Sequence, residues 1–357
     1  MILQSPEPLP PSFAEEKTAA DAVADHGGNL ARARALFPGA PAPWLDLSTG
    51  INPHHYPLAA LPATVFSRLP EEARSRRLSA LAAAVYGAPG RGADHVVPAA
   101  GTQLLLPPVA GLVPPGRAAV LSTTYAEHAR AAHLAGHAVT QARTLAALEA
   151  ADLAIVVNPN NPDGRVVERE ALVALGRRLS ARGGLLVVDE AFMDVGPAGA
   201  SVAGDVEAAG IVVLRSFGKF FGLAGVRLGF AVAPRALAGR LSARLGPWAV
   251  SGPALEYGIA ALGDADWQAR MRVHLDEQAR RLDALLAQAG LPVACGTSLF
   301  RYLDDVPARD VFLALGRCGV LVRAFDARPR ALRVGLPADD AAFARLVGAL
   351  RSWRSGA

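Results

Sequence analysis

The sequence predicts an α/β protein with a large, mostly parallel seven-stranded sheet between helices and a smaller α+β domain. From about residue 95, short apolar runs alternate with helical stretches rich in Ala, Leu and Arg. Strands of a parallel sheet are buried on both faces and appear as continuous apolar runs, so this alternation favours a parallel sheet. After about residue 238 a long helical region extends to Gly290 and sparser strands follow, which indicates a second, smaller domain.

The predicted elements follow in chain order. The strands of the large domain are His95–Pro98, Ala118–Ser122, Ala138–Gln141, Leu153–Asn158, Leu185–Asp189, Ile211–Arg215 and Leu228–Val232. Apolar residues on one side of the segment between two of them predict a helix over Arg169–Arg182. Later strands are expected around Val293–Leu303, Val320–Ala324 and Leu332–Gly335. We predict an N-terminal arm over 1–45 that joins the small domain, a large domain over 46–238 and a small domain over 239–357.

Composition excludes several classes of protein. With 357 residues, 52% hydrophobic and 19% charged, the chain can bury a sizeable core, and its apolar runs are too short to cross a membrane. The first residues lack a basic start followed by an apolar stretch, so we expect a cytoplasmic protein.

The net charge is +4 but the arginines are scattered, which argues against nucleic-acid binding. Cys295 and Cys318 are expected to be free thiols, and the histidines lack metal-ligand spacing, so no metal is expected.

Lysine is rare in this chain. Of the 36 basic residues only two are lysines, Lys17 and Lys219. Arginine keeps its proton in proteins, whereas a buried lysine can become a neutral amine nucleophile. We therefore predict a chemical role for Lys219 and none for Lys17, which lies in a polar N-terminal stretch. Chance retention of two lysines is the alternative explanation.

Four motifs stand where predicted strands end, which is where open α/β sheets bind ligands. In chain order they are Ala100-Gly101-Thr102-Gln103, Asn158-Pro159-Asn160-Asn161-Pro162-Asp163-Gly164, Asp189-Glu190-Ala191-Phe192 and Ser216-Phe217-Gly218-Lys219. Their positions predict one shared site.

The residue types suit an anionic cofactor that forms an imine with a lysine. Backbone N–H groups at the helix start near Thr102 can bind phosphate, and Arg227, eight residues after Lys219, adds a guanidinium. Asp189 follows four apolar residues, so its carboxylate is expected to be buried beside a partner such as a protonated pyridine nitrogen. A helix N-cap is the alternative role of Asp189.

Together and in this order, the motifs resemble those of the aspartate-aminotransferase fold family, the fold type I pyridoxal-phosphate enzymes. The resemblance covers about residues 26–340 and rests on the combination of motifs. It implies pyridoxal 5′-phosphate as the cofactor, a small phosphorylated amino acid as the substrate, and a homodimer with its sites at the interface.

The resemblance also implies individual roles. Lys219 is similar to the Schiff-base lysine, Asp189 to the partner of the ring nitrogen, and Asn161 to the residue that bonds the ring hydroxyl. Tyr125 stands where the family has a stacked aromatic residue, and with Lys219 and Asp189 it completes the predicted catalytic set. Arg333 resembles the arginine that clamps the substrate carboxylate. The cofactor phosphate is expected on Gly101, Thr102, Ser216 and Arg227, with Tyr56 reaching it from the neighbouring subunit. Gln103 is also expected to bind the cofactor.

Phe192 separates two branches of this fold family. Most histidinol-phosphate aminotransferases have tyrosine here, with its hydroxyl on the ring oxygen, whereas Asp-Glu-Ala-Phe resembles the threonine-phosphate decarboxylases of cobalamin biosynthesis. The opening strings His26-Gly27-Gly28-Asn29-Leu30 and 44–53 resemble the same decarboxylases, in which this opening lies close to the substrate phosphate. Val320-Leu321-Val322-Arg323 is similar to a phosphate-binding element of both branches. The implied substrate-binding residues are His26, Gly27, Asn29, Asn161, Arg323 and Arg333.

The implied reaction is decarboxylation of L-threonine O-3-phosphate to (R)-1-amino-2-propanol O-2-phosphate. A histidinol-phosphate-type aminotransferase is the alternative, because the bond broken at the α-carbon depends on substrate orientation. A non-catalytic scaffold is a third hypothesis. It predicts decay of the cofactor residues, whereas Lys219, Asp189, Asn161 and Arg227 are all present.

Overall fold

Three sheets organise the chain, which is described by a computed structural model over residues 27–86 and 92–355. The strands are β1 Leu45–Asp46, β2 Val96–Ala99, β3 Arg117–Leu121, β4 Ala138–Ala142, β5 Leu153–Val157, β6 Leu185–Asp189, β7 Ile211–Ser216, β8 Gly229–Val232, β9 Cys295–Thr297, β10 Phe300–Leu303, β11 Val320–Leu321, β12 Arg323–Ala324 and β13 Leu332–Gly335. The α-helices in these ranges are Leu30–Leu36, Thr64–Ser67, Glu72–Val85, Thr102–Ala110, Glu127–Leu134, Arg169–Ser180, Val206–Ala209, Phe217–Phe220, Arg235–Leu245, Gly252–Gly263, Ala265–Gln288, Ala308–Arg317 and Asp340–Ser355.

The largest sheet has seven strands in the order β2-β8-β7-β6-β5-β3-β4. β8 is antiparallel to both of its neighbours, while the pairs from β7 through β4 are all parallel. This arrangement confirms the predicted fold class. The shared direction of β3, β5, β6 and β7 brings their carboxyl ends to one edge, where the predicted motifs follow.

Burial on both faces explains the continuous apolar runs of these strands. Every residue of β5 and β6 is buried. Leu153 and Ile155 pack into the apolar cluster on one face of the sheet, while Ala154 and Val156 pack into the cluster on the other. A polar side chain in either strand would lie in one of these clusters, so polar residues appear only where the strands end.

The predicted strand limits of the seven-stranded sheet differ from the observed ones by one residue at most, and three predictions need correction. His95 closes a short 3₁₀ turn, and β2 begins after it at Val96. The predicted strand Val320–Ala324 is two strands in different sheets, because β11 pairs with β1 and β12 pairs with β13. The predicted run Val293–Leu303 is likewise the hairpin of β9 and β10.

The smaller sheets join distant parts of the chain. β12, β13, β10 and β9 form an antiparallel sheet, and β1 lies parallel to β11. The early segment also contacts later helices, since Phe37 packs against Phe312 with ring centroids 5.9 Å apart. The helix Gly252–Gly263 packs against Glu72–Val85. The domain limits predicted at residues 45 and 238 stay a prediction.

Helix length and apolarity bear on membrane crossing. No helix within 27–86 and 92–355 is both long and apolar enough to span a bilayer.

Candidate active site

A cavity of about 650 Å³ opens where β3, β5, β6 and β7 end. This volume suits a cofactor together with a small substrate. Loops after these strands, the segment around Gly50 and the β12–β13 region all line it. Among its lining residues are Gly27, Tyr125, Asn161, Phe192, Lys219, Arg323, Arg328 and Arg333.

Lys219 reaches the cavity from the short helix Phe217–Phe220, which begins directly after β7. Its backbone oxygen accepts a hydrogen bond from the Asn52 N–H at 3.0 Å, and its Nζ lies 5.8 Å from the centre of the Phe192 ring. Burial lowers the pKa of Lys219 to about 8, Arg333 and Arg227 also lower it, and Asp189 opposes them. An appreciable share of the amine is therefore neutral near pH 7, as a nucleophile requires.

Asp189 ends β6 and is buried. Its Oδ1 accepts from the Ala191 N–H at 3.0 Å, and its Oδ2 accepts from His128 Nε2 at 2.8 Å. The Ala191 bond closes a tight turn rather than capping a helix, since the next helical turn begins only at Met193. The N-cap alternative is therefore wrong, and the carboxylate has the buried, partnered setting predicted from the apolar run before it.

His128 is a site residue that the sequence analysis missed. It is only 2% exposed and its imidazole bonds Asp189, whereas the sequence pattern does not distinguish it from the other histidines. A signal was available, because His128 lies three residues after Tyr125 and residues three apart share one side of a helical turn. The two rings meet edge to face with centroids 5.9 Å apart.

A cradle for an anion lies at the start of the helix Thr102–Ala110. Gly101 has φ +89°, and a Cβ at this position would lie 2.5 Å from Nη2 of Arg227. Only glycine lets the guanidinium approach this closely. The positive charge, the N–H groups of the helix start and the nearby end of β7 at Ser216 together fit a phosphate. With the Lys219 amine, these groups match the donor set that pyridoxal phosphate requires.

Arg333 is buried in β13 and faces the cavity. Its Nη1 donates to Asn161 Oδ1 at 2.6 Å and its Nη2 to the Ser48 carbonyl at 2.8 Å. Within the described segments its Nε has no hydrogen-bond partner. Burial first and Arg323 second lower the pKa of Arg333 to about 9, against an opposing effect of Asp46, so it remains a cation at neutral pH. A fixed guanidinium with a spare N–H suits a substrate carboxylate.

Arg328, which the sequence analysis did not predict, also lines the cavity. Its Nη1 donates to the Tyr302 hydroxyl at 2.9 Å and its Nη2 to Thr123 Oγ1 at 3.2 Å. Arg323 lines the same cavity, with its guanidinium carbon 5.2 Å from the centre of the Phe325 ring. Three arginines therefore converge on one cavity, which favours a substrate with more than one negative charge.

Several predicted residues are not part of the lining of this chain's own cavity, namely Asn29, Tyr56, Gly101, Thr102, Gln103, Asp189, Ser216 and Arg227. Asn29 caps the helix Leu30–Leu36 by accepting from the Arg32 N–H at 3.0 Å. Tyr56 packs against Trp267 and its hydroxyl donates to Asp264 at 3.2 Å. The role given to Tyr56 concerns the neighbouring subunit and stays a prediction. His26 lies outside the described residues, while its neighbour Gly27 lines the cavity.

Comparison with known proteins identifies the family. The model of the family "Aminotransferase class I and II" matches residues 90–350. This chain belongs to the class I and II aminotransferase family. Across 93% of its length this aminotransferase-family protein is 44% identical to the threonine-phosphate decarboxylase of Pseudomonas aeruginosa, of which it covers 99%.

Two solved structures share the fold of this aminotransferase-family protein. The histidinol-phosphate aminotransferase of Sinorhizobium meliloti, solved with pyridoxal-5′-phosphate, has a TM-score of 0.71 and 24% identity over 83% of this chain and 85% of that one. The L-threonine-O-3-phosphate decarboxylase of Porphyromonas gingivalis has a TM-score of 0.72 and 19% identity over 87% and 99% of the two chains. Both confirm the fold type I architecture predicted from the sequence.

Proposed function

We propose that this protein is a threonine-phosphate decarboxylase. It converts L-threonine O-3-phosphate to (R)-1-amino-2-propanol O-2-phosphate and CO2, a step of cobalamin biosynthesis. The observation that carries the proposal is the 44% identity to the Pseudomonas decarboxylase over nearly the whole of both chains. The cavity supports it, because Arg323, Arg328 and Arg333 all line the space next to Lys219.

The cofactor is pyridoxal 5′-phosphate, as the family resemblance implies. When bound, it supplies an electron sink for the bond that breaks at the substrate α-carbon. Lys219 would hold it covalently through Nζ, and Asp189 would pair with its ring nitrogen. Gly101 and the N–H groups of the following helix turn would hold the phosphate, with Arg227 neutralising its charge.

The chain's own residues then select the reaction by orienting the substrate. Arg333 is held by Asn161 and Ser48 and offers its remaining N–H groups to the substrate carboxylate. Arg323 is the cation we assign to the substrate phosphate. Two anchors at opposite ends of a small substrate fix its orientation. That orientation decides which bond of the α-carbon is broken. After CO2 leaves, Lys219 Nζ delivers a proton to the α-carbon, a task for which a pKa of about 8 is well placed.

The histidinol-phosphate-type aminotransferase is the second candidate. The fold does not separate the two reactions, because a decarboxylase and an aminotransferase match with TM-scores of 0.72 and 0.71. Both reactions need Lys219, Asp189 and an anionic substrate site. They differ in their need for a keto-acid acceptor.

One incubation tests the proposal. Purified protein with pyridoxal phosphate is mixed with L-threonine O-3-phosphate in the absence of 2-oxoglutarate, and CO2 and the cofactor absorbance are followed together. We expect sustained CO2 release with the absorbance band retained. No CO2, with turnover of histidinol phosphate that depends on 2-oxoglutarate, would assign the protein to the aminotransferases. Lys219→Ala should lose CO2 release, whereas the matched variant Lys17→Ala of the other lysine should keep it.

We also propose that the active form is a homodimer, as the family resemblance implies. Support comes from the segment after Tyr56, where Leu58, Phe66 and Leu69 all expose more than half of their surface. Large apolar side chains this close together in sequence favour a protein partner. The same interface would bring Tyr56 towards the neighbouring site.

A further inference from the structure

Three side chains form a hydrogen-bonded chain beside the cavity. The Tyr125 hydroxyl donates to Gln103 Oε1 at 3.0 Å, and Gln103 Nε2 donates to Glu127 Oε2 at 2.9 Å. Tyr125 lines the cavity, whereas Gln103 and Glu127 stand outside the lining. The chain therefore leads from the ring that faces the ligand to a carboxylate away from it.

The direction of these bonds is fixed by chemistry. An ionised carboxylate only accepts hydrogen bonds, so Gln103 must turn its Nε2 towards Glu127. The amide then presents Oε1 to Tyr125, and a carbonyl oxygen also only accepts. The phenol must therefore donate its single proton to Gln103. Glu127 thus sets the orientation of a hydroxyl that it does not touch.

Neighbouring contacts hold the chain in place. Arg130 donates to Glu127 Oε2 at 3.3 Å from one turn along the same helix. His128, in that helix, meets the edge of the Tyr125 ring and bonds Asp189. The first turn of Glu127–Leu134 thus positions both the ring expected to stack on the cofactor and the carboxylate expected to pair with its ring nitrogen.

We propose that Gln103 and Glu127 are positioning residues, which fix the rotation of the Tyr125 ring against the cofactor and keep its phenol proton bound to Gln103. Tyr125 is then a stacking residue rather than the acid that protonates the α-carbon, and that task falls to Lys219. The inference rests on the proposed function, which supplies the cofactor and the α-carbon. Burial, Glu127 and Asp189 all raise the pKa of Tyr125, in keeping with a phenol that retains its proton.

A double-mutant cycle tests the positioning role. Gln103→Leu and Tyr125→Phe both remove the same bond, so each should weaken pyridoxal-phosphate binding to the apoprotein by roughly 3- to 10-fold. Each should also reduce the visible circular dichroism of the bound cofactor. The double variant should bind pyridoxal phosphate no more weakly than whichever single variant binds it less tightly. Independent, multiplying losses would overturn the proposal, because they would show that Gln103 acts through something other than Tyr125.

The direction of the hydrogen bonds that Glu127 imposes has its own test. In Glu127→Gln the new amide can accept or donate, so Gln103 is free to turn its Nε2 towards the phenol. We expect loss of cofactor dichroism in the wild-type background and no effect in the Tyr125→Phe background. Arg130→Ala, which removes an exposed contact of the same carboxylate, is the matched control and should change little. An equal Glu127→Gln effect in both backgrounds would contradict the inference.

The assignment of the proton donor is tested by activity. Tyr125→Phe should keep CO2 release within roughly 10-fold of wild type and leave its pH profile unchanged, whereas loss of a general acid costs about 10²- to 10⁴-fold. A loss in that larger range would overturn the assignment. The binding and dichroism measurements need no substrate. They therefore decide the positioning role even if the protein proves to be an aminotransferase.

Discussion

Burial and two nearby arginines disfavour the positive charge of the Lys219 amine, and Asp189 favours it. The Lys219 pKa of about 8 arises first from burial and then from Arg333 and Arg227. Only the neutral amine attacks an aldehyde, so the rate at which apoprotein takes up pyridoxal phosphate should rise with pH, with a midpoint near the Lys219 pKa of about 8. Stopped-flow absorbance measured from pH 6 to about 10, a range that spans the titration of the amine, would give this profile.

Removing Arg333 should move that midpoint. Arg333→Gln deletes a like charge, so the amine should hold its proton more tightly and the midpoint should shift to higher pH. Arg240→Gln, which removes an arginine outside the cavity lining, should leave it in place. A downward shift in Arg333→Gln would show that the guanidinium acts on Lys219 in another way.

The bond between His128 and Asp189 should matter for turnover. A hydrogen bond to a charged group contributes about 1.5–3 kcal/mol, so His128→Phe should lower kcat/KM by roughly 10- to 100-fold. His137 is the matched control, because it too is buried and its Nε2 bonds the Ala110 carbonyl at 3.0 Å, away from the site. If His137→Phe lost as much kcat/KM per folded molecule, the effect would be structural.

At the scale of elements, the ends of β6 and β7 are joined by a buried ionic cluster. Nη1 of Arg215 in β7 bonds Glu190, directly after β6, at 2.9 Å, and its Nη2 lies 3.1 Å from Asp194. Burial raises the pKa of Glu190, while Arg215 opposes that change. The cluster sits one residue from Asp189 and four from Lys219 in sequence. It therefore holds together the two strand ends that carry the chemistry.

Breaking this cluster should cost far more than breaking a surface pair. Arg215→Met leaves two buried carboxylates without their positive partner and should lower the free energy of unfolding by about 3–5 kcal/mol. Arg169→Met removes an arginine that pairs with Asp205 at 2.6 Å but is 40% exposed, and should cost less than about 1 kcal/mol. Urea unfolding followed by circular dichroism would compare the two. Similar losses would mean that the cluster is no more important than the surface pair.

The sequence predicted most elements because burial on both faces leaves a clear record in a parallel strand. β6 was predicted with its observed limits, Leu185–Asp189. The division of Val320–Ala324 was not predicted, because both halves are apolar or extended and only their partners differ. Pairing partners are set by the whole fold, and no local pattern records them.

For the whole molecule, self-association should depend on the apolar segment after Tyr56. Phe66 is 68% exposed, and Phe66→Glu should convert a dimer to a monomer and lower activity, because a charge would be buried at the interface. Leu134 is 67% exposed on another helix and Leu134→Glu is the matched control. Light scattering after size exclusion would measure both. A monomeric wild type with full activity would contradict the proposed dimer.

Part of the candidate site could be predicted because the topology of the large sheet gathers residues at the ends of its strands. Lys219, Asp189, Asn161 and Tyr125 follow strand ends, so sheet topology alone brings them to one edge. The bond from Arg333 to Asn161 spans 172 positions and joins β13 to the loop after β5, and only the family resemblance suggested that they share a site. His128 and Arg215 act through a neighbour, and neither stands in a motif that marks such a role.

Because lysine is rare in this chain, proteolysis can measure how many molecules carry the cofactor on Lys219. A lysine-specific protease can cut this chain only after residues 17 and 219, which gives fragments 18–219 and 220–357. If borohydride first fixes pyridoxal phosphate on Lys219, the second cut is blocked and the denatured chain stays whole from residue 18 to its end. The ratio of uncut to cut product on one gel would then report the fraction of molecules that carry cofactor.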